Sequence, residues 1–251
     1  MNALPAATTA GATFVIQGRE VRLPVIVRDA ASATATYLIS AAAARRLIPG
    51  SSFEPIEVWP GKTLCSIGAI QYRDNDLGDY NEVSIAFFVR ERGARQGVPY
   101  LGAIIDFLRS RVAVFIRHLP VNQSFTCEAG RTIWGFPKTV EQIDFAIEGE
   151  RARCTLTMNG QHVLTFASRR GGTRHLPDTT MATYSLIDGV AHKTSFHSAA
   201  DGVGFFRSGT ELTLGTHPIA DELRSLGLPK RPLMAMWVEH MRARFEGAVP
   251  L

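Results

Sequence analysis

The sequence predicts a mainly β protein with a few short helices, built on a mostly antiparallel sheet system. Three observations carry this. Short β-branched and aromatic runs recur along most of the chain, divided by Gly, Pro, Asn and Asp. Gln142–Ile147, Arg151–Met158 and Gln161–Ala167 read as a meander, with Asn159-Gly160, a strong hairpin signal, between the last two. The helical patterns, finally, are few and short.

The elements follow in order. Residues 1–12 are small, Ala/Thr-rich and unpatterned, so they read as a flexible tail ahead of one domain over 13–251. Phe14–Ile16 and Val21–Val27 read as a hairpin across Gln-Gly-Arg-Glu, and Ala33–Ile39 as a strand. Ser40 can cap a helix running to Leu47, with Arg45 and Arg46 favourable in its last turn and Pro49 ending it. Thr63–Tyr72 and Asn81–Arg90 pair across Asp76-Leu77-Gly78-Asp79. Gly97–Arg109 has helical spacing behind Pro99, Val112–His118 reads as a strand, and Asn122–Ala129 as a helix stopped by Gly130. After the meander, Arg169–Arg174 is a loop, and strands lie near Met181–Ile187, Val190–His197 and Val203–Phe206. Thr216-His217-Pro218 opens a helix that Gly227 and Pro229 stop, and Leu233–Phe245 is long enough to be a strand crossing the whole fold.

Composition narrows the function classes. With 251 residues, 45% hydrophobic and 20% charged, the chain can bury a full core. Its net charge of +4 comes from scattered Lys and Arg, which form no nucleic-acid stripe but suit a small anionic substrate. Cys65, Cys127 and Cys154 have neither disulfide-framework nor thiolate-metal spacing, so a reducing compartment is the simplest fit. No membrane-length apolar run and no secretory leader pattern is visible, which predicts a cytoplasmic protein with no membrane partner. Dinucleotide, P-loop and hydrolase-elbow motifs are missing, and His192 and His197 fall on opposite faces of a strand, so no cofactor or metal is expected.

One stretch looks chosen for chemistry: Gly130-Arg-Thr-Ile-Trp-Gly-Phe-Pro-Lys-Thr-Val140. Gly135 and Pro137 set Phe136 in a non-helical path, and Lys138 follows Ile133, Trp134 and Phe136, large apolar groups able to strip an ammonium of water. Desolvation disfavours the charged form, and a neutral lysine is a nucleophile. On the residues alone the commoner reading is a solvated lysine after a turn proline, with Trp134 and Phe136 as core. In the Asn81–Arg90 strand one face carries Val83, Ile85, Phe87 and Val89; the other carries Glu82, Ser84 and Ala86 before Phe88, as the lining of a narrow cavity would.

Gly-Arg-x-x-Trp-Gly-x-Pro-Lys resembles the active-site segment of the acetoacetate decarboxylase family, in which the lysine forms a Schiff base with a β-keto acid. Tyr72-Arg-Asp-Asn-Asp-Leu-Gly-Asp-Tyr-Asn-Glu82 is similar to the family's strand, Leu-Gly turn and Tyr-x-Glu, which carries an active-site glutamate. The resemblance implies a closed, cone-shaped, mostly antiparallel β-barrel with Lys138 facing its interior, catalysis by Lys138 and Glu82, Trp134 and Phe136 near the substrate, and a homo-oligomer. Three positions depart from the pattern. Thr139 replaces a second lysine, so burial alone must depress the Lys138 pKa. The family's earlier glutamate, fifteen positions before Glu82, falls on Ile67. The arginine that meets the substrate carboxylate has Arg28 as its nearest candidate. The implied function is a Schiff-base lyase that decarboxylates a β-keto acid, with Trp134, Phe88 and Trp237 lining a larger apolar pocket. The alternatives are aldolase or dehydratase chemistry on 2-oxo acids, or a non-catalytic barrel that binds a small carboxylate.

Overall fold

A computed structural model of the chain describes residues 11–94, 100–108 and 112–251. Residues 1–10 of the expected tail, and 97–99 and 109 of the expected Gly97–Arg109 helix, lie outside that range.

The chain opens on a hairpin, β1 (Thr13–Ile16) with β2 (Arg19–Arg22), turned through left-handed Gln17 and Gly18. The expected Val21–Val27 strand is divided. Pro24 has no N–H for a ladder, so β2 stops at Arg22 and β3 (Val25–Ser40) begins after the proline. β3 also extends the expected Ala33–Ile39 strand backward through Arg28, Asp29 and a run of small residues that carry no strand signal. Ser40 caps α1 (Ala41–Arg45), its hydroxyl accepting from the Ala43 N–H at 3.3 Å. Next come β4 (Phe53–Pro55), β5 (Lys62–Asn75), β6 (Tyr80–Glu91), α2 (Leu101–Leu108) and β7 (Ala113–Val121).

α3 (Ser124–Trp134) corrects an expectation. It runs straight through Gly130 and ends at Gly135, which takes the left-handed conformation (φ 63°) and donates its N–H back to the Arg131 carbonyl at 3.1 Å. The Gly130–Val140 stretch is therefore the last turn of a helix, a short connection, and a strand, β8 (Lys138–Val140). The meander β9 (Gln142–Glu148), β10 (Arg151–Met158) and β11 (Gln161–Arg169) follows, with Asn159 and Gly160 both at positive φ. The three strands expected between 181 and 206 are two long ones, β12 (Arg174–Ile187) and β13 (Val190–Phe206). β14 (Glu211–Leu214), α4 (Pro218–Ser225, capped by His217) and β15 (Met234–Pro250) complete the chain.

Seven strands close into a barrel in the order β6-β5-β3-β15-β13-β12-β7, with β7 returning to β6. Every pairing is antiparallel except β12 on β7, and β8 adds a second parallel strand to the far end of β7. A separate sheet, β14-β11-β10-β9, packs into the main core. Alternation divides β6. Val83, Ile85, Phe87 and Val89 join the main core with Ile67, Leu156, Phe166, Leu223 and Trp237. The face that carries Tyr80 and Glu82 turns toward a second cluster, formed by the N-terminal strands with Phe125, Ala129 and Ile133 of α3. Among the described residues no helix is long and apolar enough to cross a membrane.

Candidate active site

The site forms where α3 folds back over its own continuation. Gly135 reverses the chain and the Phe136-Pro137 segment leads into β8, whose first residue, Lys138, pairs with Leu119 at the end of β7. This directs the Lys138 side chain under α3, where its Nζ donates to Thr126 Oγ1 at 3.2 Å. On the other flank of β7, Glu82 pairs with Val121, so two strands deliver Lys138 and Glu82 to the same strand end. Glu82 Oε2 lies 2.9 Å from Lys138 Nζ, and each residue is only 5% exposed.

Two tyrosines complete the surroundings. Tyr80 precedes Glu82 by two residues and so shares its face; Tyr72 is its cross-strand partner, and the rings stack at 4.3 Å. The Tyr72 hydroxyl donates to Glu82 Oε1 at 3.3 Å, and Lys138 Nζ lies 4.9 Å from the Tyr80 ring centroid. Tyr80 interacts electrostatically with Tyr72, Glu82 and Lys138. The polar groups thus form a circuit in which hydrogen bonds link Thr126, Lys138, Glu82 and Tyr72 and the Tyr80 ring covers the ammonium, which satisfies a charge pair in a place with almost no water.

Electrostatics correct the expectation of a depressed lysine. Burial pulls the Lys138 pKa down, but the Glu82 carboxylate, helped by Tyr80, more than offsets it and leaves the value above 10.5. Lys138 therefore rests as the ammonium, with Glu82 at a distance over which a proton passes directly. Burial, then the neighbouring Glu82 charge, raises Tyr72 well above 10, so its hydroxyl remains a donor. Tyr80 is also raised, by burial, although Lys138 opposes the shift.

The other residues singled out from the sequence fall elsewhere. Arg28 is exposed, its guanidinium held by Asp74 at 2.9 Å and Asp76 at 2.8 Å, and the structure does not bring it to the buried pair. Trp134 is buried, but its indole N–H donates to the Glu246 carbonyl at 2.7 Å while its ring packs on Phe136 and on Phe245 of β15. Trp134 and Phe136 therefore anchor the helix–strand turn, and the groups that strip Lys138 of water are α3 and Tyr80. Trp237 is fully buried in the main core and Phe88 packs with Ile56, Val58 and Leu64, so neither belongs to a pocket shared with Trp134. Thr139 is exposed and its side chain alternates away from Lys138, so a charge there would not share the lysine's space. Ile67 sits in the main core on the opposite face of β5 from Tyr72, and the residues beside it in sequence, Ser66 and Gly68, are not carboxylates either.

Three members of the circuit were missed from the sequence. Tyr72 and Tyr80 stood inside the motif, and period two already put Tyr80 on the Glu82 face. Thr126 carried no signal, because a helix stopped at Gly130 does not reach back over Lys138. Among the described residues no group of three or more His, Cys, Asp or Glu is placed to hold a metal ion.

A closed barrel with a buried lysine–glutamate pair at one strand end defines the class, and the comparisons agree with it. The acetoacetate decarboxylase (ADC) family model matches residues 13–247, and the chain belongs to that family. An acetoacetate decarboxylase from Legionella pneumophila has a similar structure, with a TM-score of 0.66 at 14% identity, covering 100% of this chain and 98% of that one. Another acetoacetate decarboxylase gives 0.64 at 15%, covering 92% and 90%. The enduracididine biosynthesis enzyme MppR, complexed with pyruvate, gives 0.57 at 16%, covering 92% and 91%. No curated protein sequence matches the chain.

Proposed function

We propose that this chain is a Schiff-base-forming carbon–carbon lyase that decarboxylates a small β-keto acid on Lys138. The observation that carries the reading is the buried 2.9 Å contact between Lys138 Nζ and Glu82. A lysine whose only purpose was to bind a carboxylate would leave its charge free for the ligand, whereas this one already has a carboxylate able to take its proton. Membership of the family supports the same chemistry.

Each step has a group to perform it. Glu82 accepts the ammonium proton, and the Lys138 amine attacks the ketone carbon. Loss of water gives an iminium, which draws the electron pair of the carbon–carboxylate bond as carbon dioxide leaves. The proton that Glu82 took leaves with that water, so Glu82, held by Tyr72, takes up a second proton from solvent and delivers it to the enamine carbon, and hydrolysis releases the ketone and the lysine. Water is scarce at a residue 5% exposed, which protects the iminium until the product forms.

A second reading, aldol or dehydration chemistry on a 2-oxo acid, uses the same iminium. It is favoured by the likeness to a protein complexed with pyruvate. Incubation with acetoacetate or pyruvate and borohydride, read by intact mass, tests for the iminium. Carbon dioxide release from acetoacetate supports the first reading; an adduct with pyruvate and no gas from acetoacetate supports the second; no adduct with either sinks both. The three cysteines are free and buried, which fits a reducing, cytoplasmic setting.

A further inference from the structure

A glycine inside a helix is costly relative to alanine, because it adds backbone freedom to the unfolded chain and packs nothing. Gly130 nevertheless sits within α3, fully covered, five residues before its glycine stop. The Lys138 stem explains it. A Cβ built on Gly130 would lie 2.5 Å from Lys138 Cδ, 2.7 Å from Cε and 3.2 Å from Cγ, where carbons ordinarily meet at about 3.5–4.0 Å.

A flexible side chain would normally yield to such an intrusion, but this one is fixed at both ends. Its backbone pairs with Leu119 and donates to the Phe136 carbonyl at 2.8 Å, while Nζ is held by Glu82 at 2.9 Å and Thr126 at 3.2 Å. We propose that Gly130 is a positioning residue for Lys138: the bare helix surface there is the wall along which the stem lies, and it sets the reach of Nζ to Glu82. The proposal rests on the reading of Lys138 as the nucleophile, and it makes a separate structural claim that stands or falls without it.

That claim is tested by a double-variant cycle on thermal stability, using Gly130→Ala alone and in a Lys138→Ala background. With the stem gone, the alanine should raise the melting temperature through its better helix propensity; with the stem present it should lower it. Folding only in the Lys138→Ala background is the extreme form of the expected result. The same stabilisation in both backgrounds, or unfolding in both, overturns the proposal. The catalytic consequence is read by borohydride trapping with the folded Gly130→Ala protein. A displacement of about an ångström should slow adduct formation roughly 10²-fold, and should move its pH midpoint down, since Nζ leaves Glu82 while remaining buried. A normal trapping rate and midpoint would overturn it. Absence of trapping in the unaltered protein would remove the Schiff-base reading and leave the stability cycle to judge Gly130.

Discussion

Replacing Glu82 by glutamine keeps the side chain's shape while removing the charge that holds Lys138 protonated. Burial is then opposed only by Tyr80, so the Lys138 pKa should fall. Schiff-base trapping at neutral pH should persist or quicken, while turnover drops by a factor on the order of 10²–10⁴, because the enamine loses its proton donor. Trapping that disappears with turnover would show that the Lys138 amine forms only by proton transfer to Glu82 and not by burial once that charge is removed. The pair also makes stability depend on pH. A lysine raised above its unfolded value contributes fully below the ordinary lysine range, and the contribution is lost as pH rises through the folded value. The stability difference between the unaltered protein and Lys138→Met should therefore shrink at strongly alkaline pH, and a constant difference would contradict the assignment. Thr139→Lys should leave the pH dependence of trapping unchanged, since position 139 faces solvent. At this scale motif and alternation singled out Lys138 and Glu82, which the structure buries in contact with each other. The lysine's charge was misjudged because a partner 56 residues away in the chain cannot be read from local apolar residues.

The elements that matter most are α3 and the turn after it. Gly135 occupies a left-handed conformation, and a Cβ there would lie 2.5 Å from Ile187 Cγ1 and 2.9 Å from the Leu186 carbonyl oxygen. Gly135→Ala should destabilise the protein by more than about 1 kcal/mol, measured by denaturant unfolding. Trp134→Ala should cost about 3–5 kcal/mol, because it opens a cavity and leaves the Glu246 carbonyl without its indole donor. A near-neutral outcome would mean that the turn is not anchored on β15. Capped and turn-marked elements were legible: Ser40 before α1, His217-Pro218 before α4, and Asn159-Gly160 in the meander each act through local chemistry. The end of α3 was not, because Gly130 carries the same local stop signal as Gly135 and comes first. One of them is used to end the helix and the other to make room for a lysine, and that difference exists only once β8 has returned.

On the scale of the whole molecule, the mainly β character followed from alternation, but the closure did not. Closing the barrel depends on β7 pairing antiparallel with β6 and parallel with β12, and partner choice between distant strands has no local signature. Long strands were read as fragments where small and polar residues interrupt the pattern, as in Ser198–Gly202 of β13, although the ladder to β15 continues through most of that stretch. The barrel itself was anticipated only through the resemblance carried by two short motifs. Those motifs mark the place where the architecture converges, since β6, β7, β8 and α3 meet at the Lys138–Glu82 pair. The central claim is that this pair makes Lys138 a Schiff-base nucleophile, and mapping of the trapped adduct tests it most directly. Incubation with acetoacetate and borohydride, followed by proteolysis and mass analysis, should give one adduct, on Lys138, that is lost in Lys138→Ala. An adduct on other lysines, or none with either acetoacetate or pyruvate, would contradict the account.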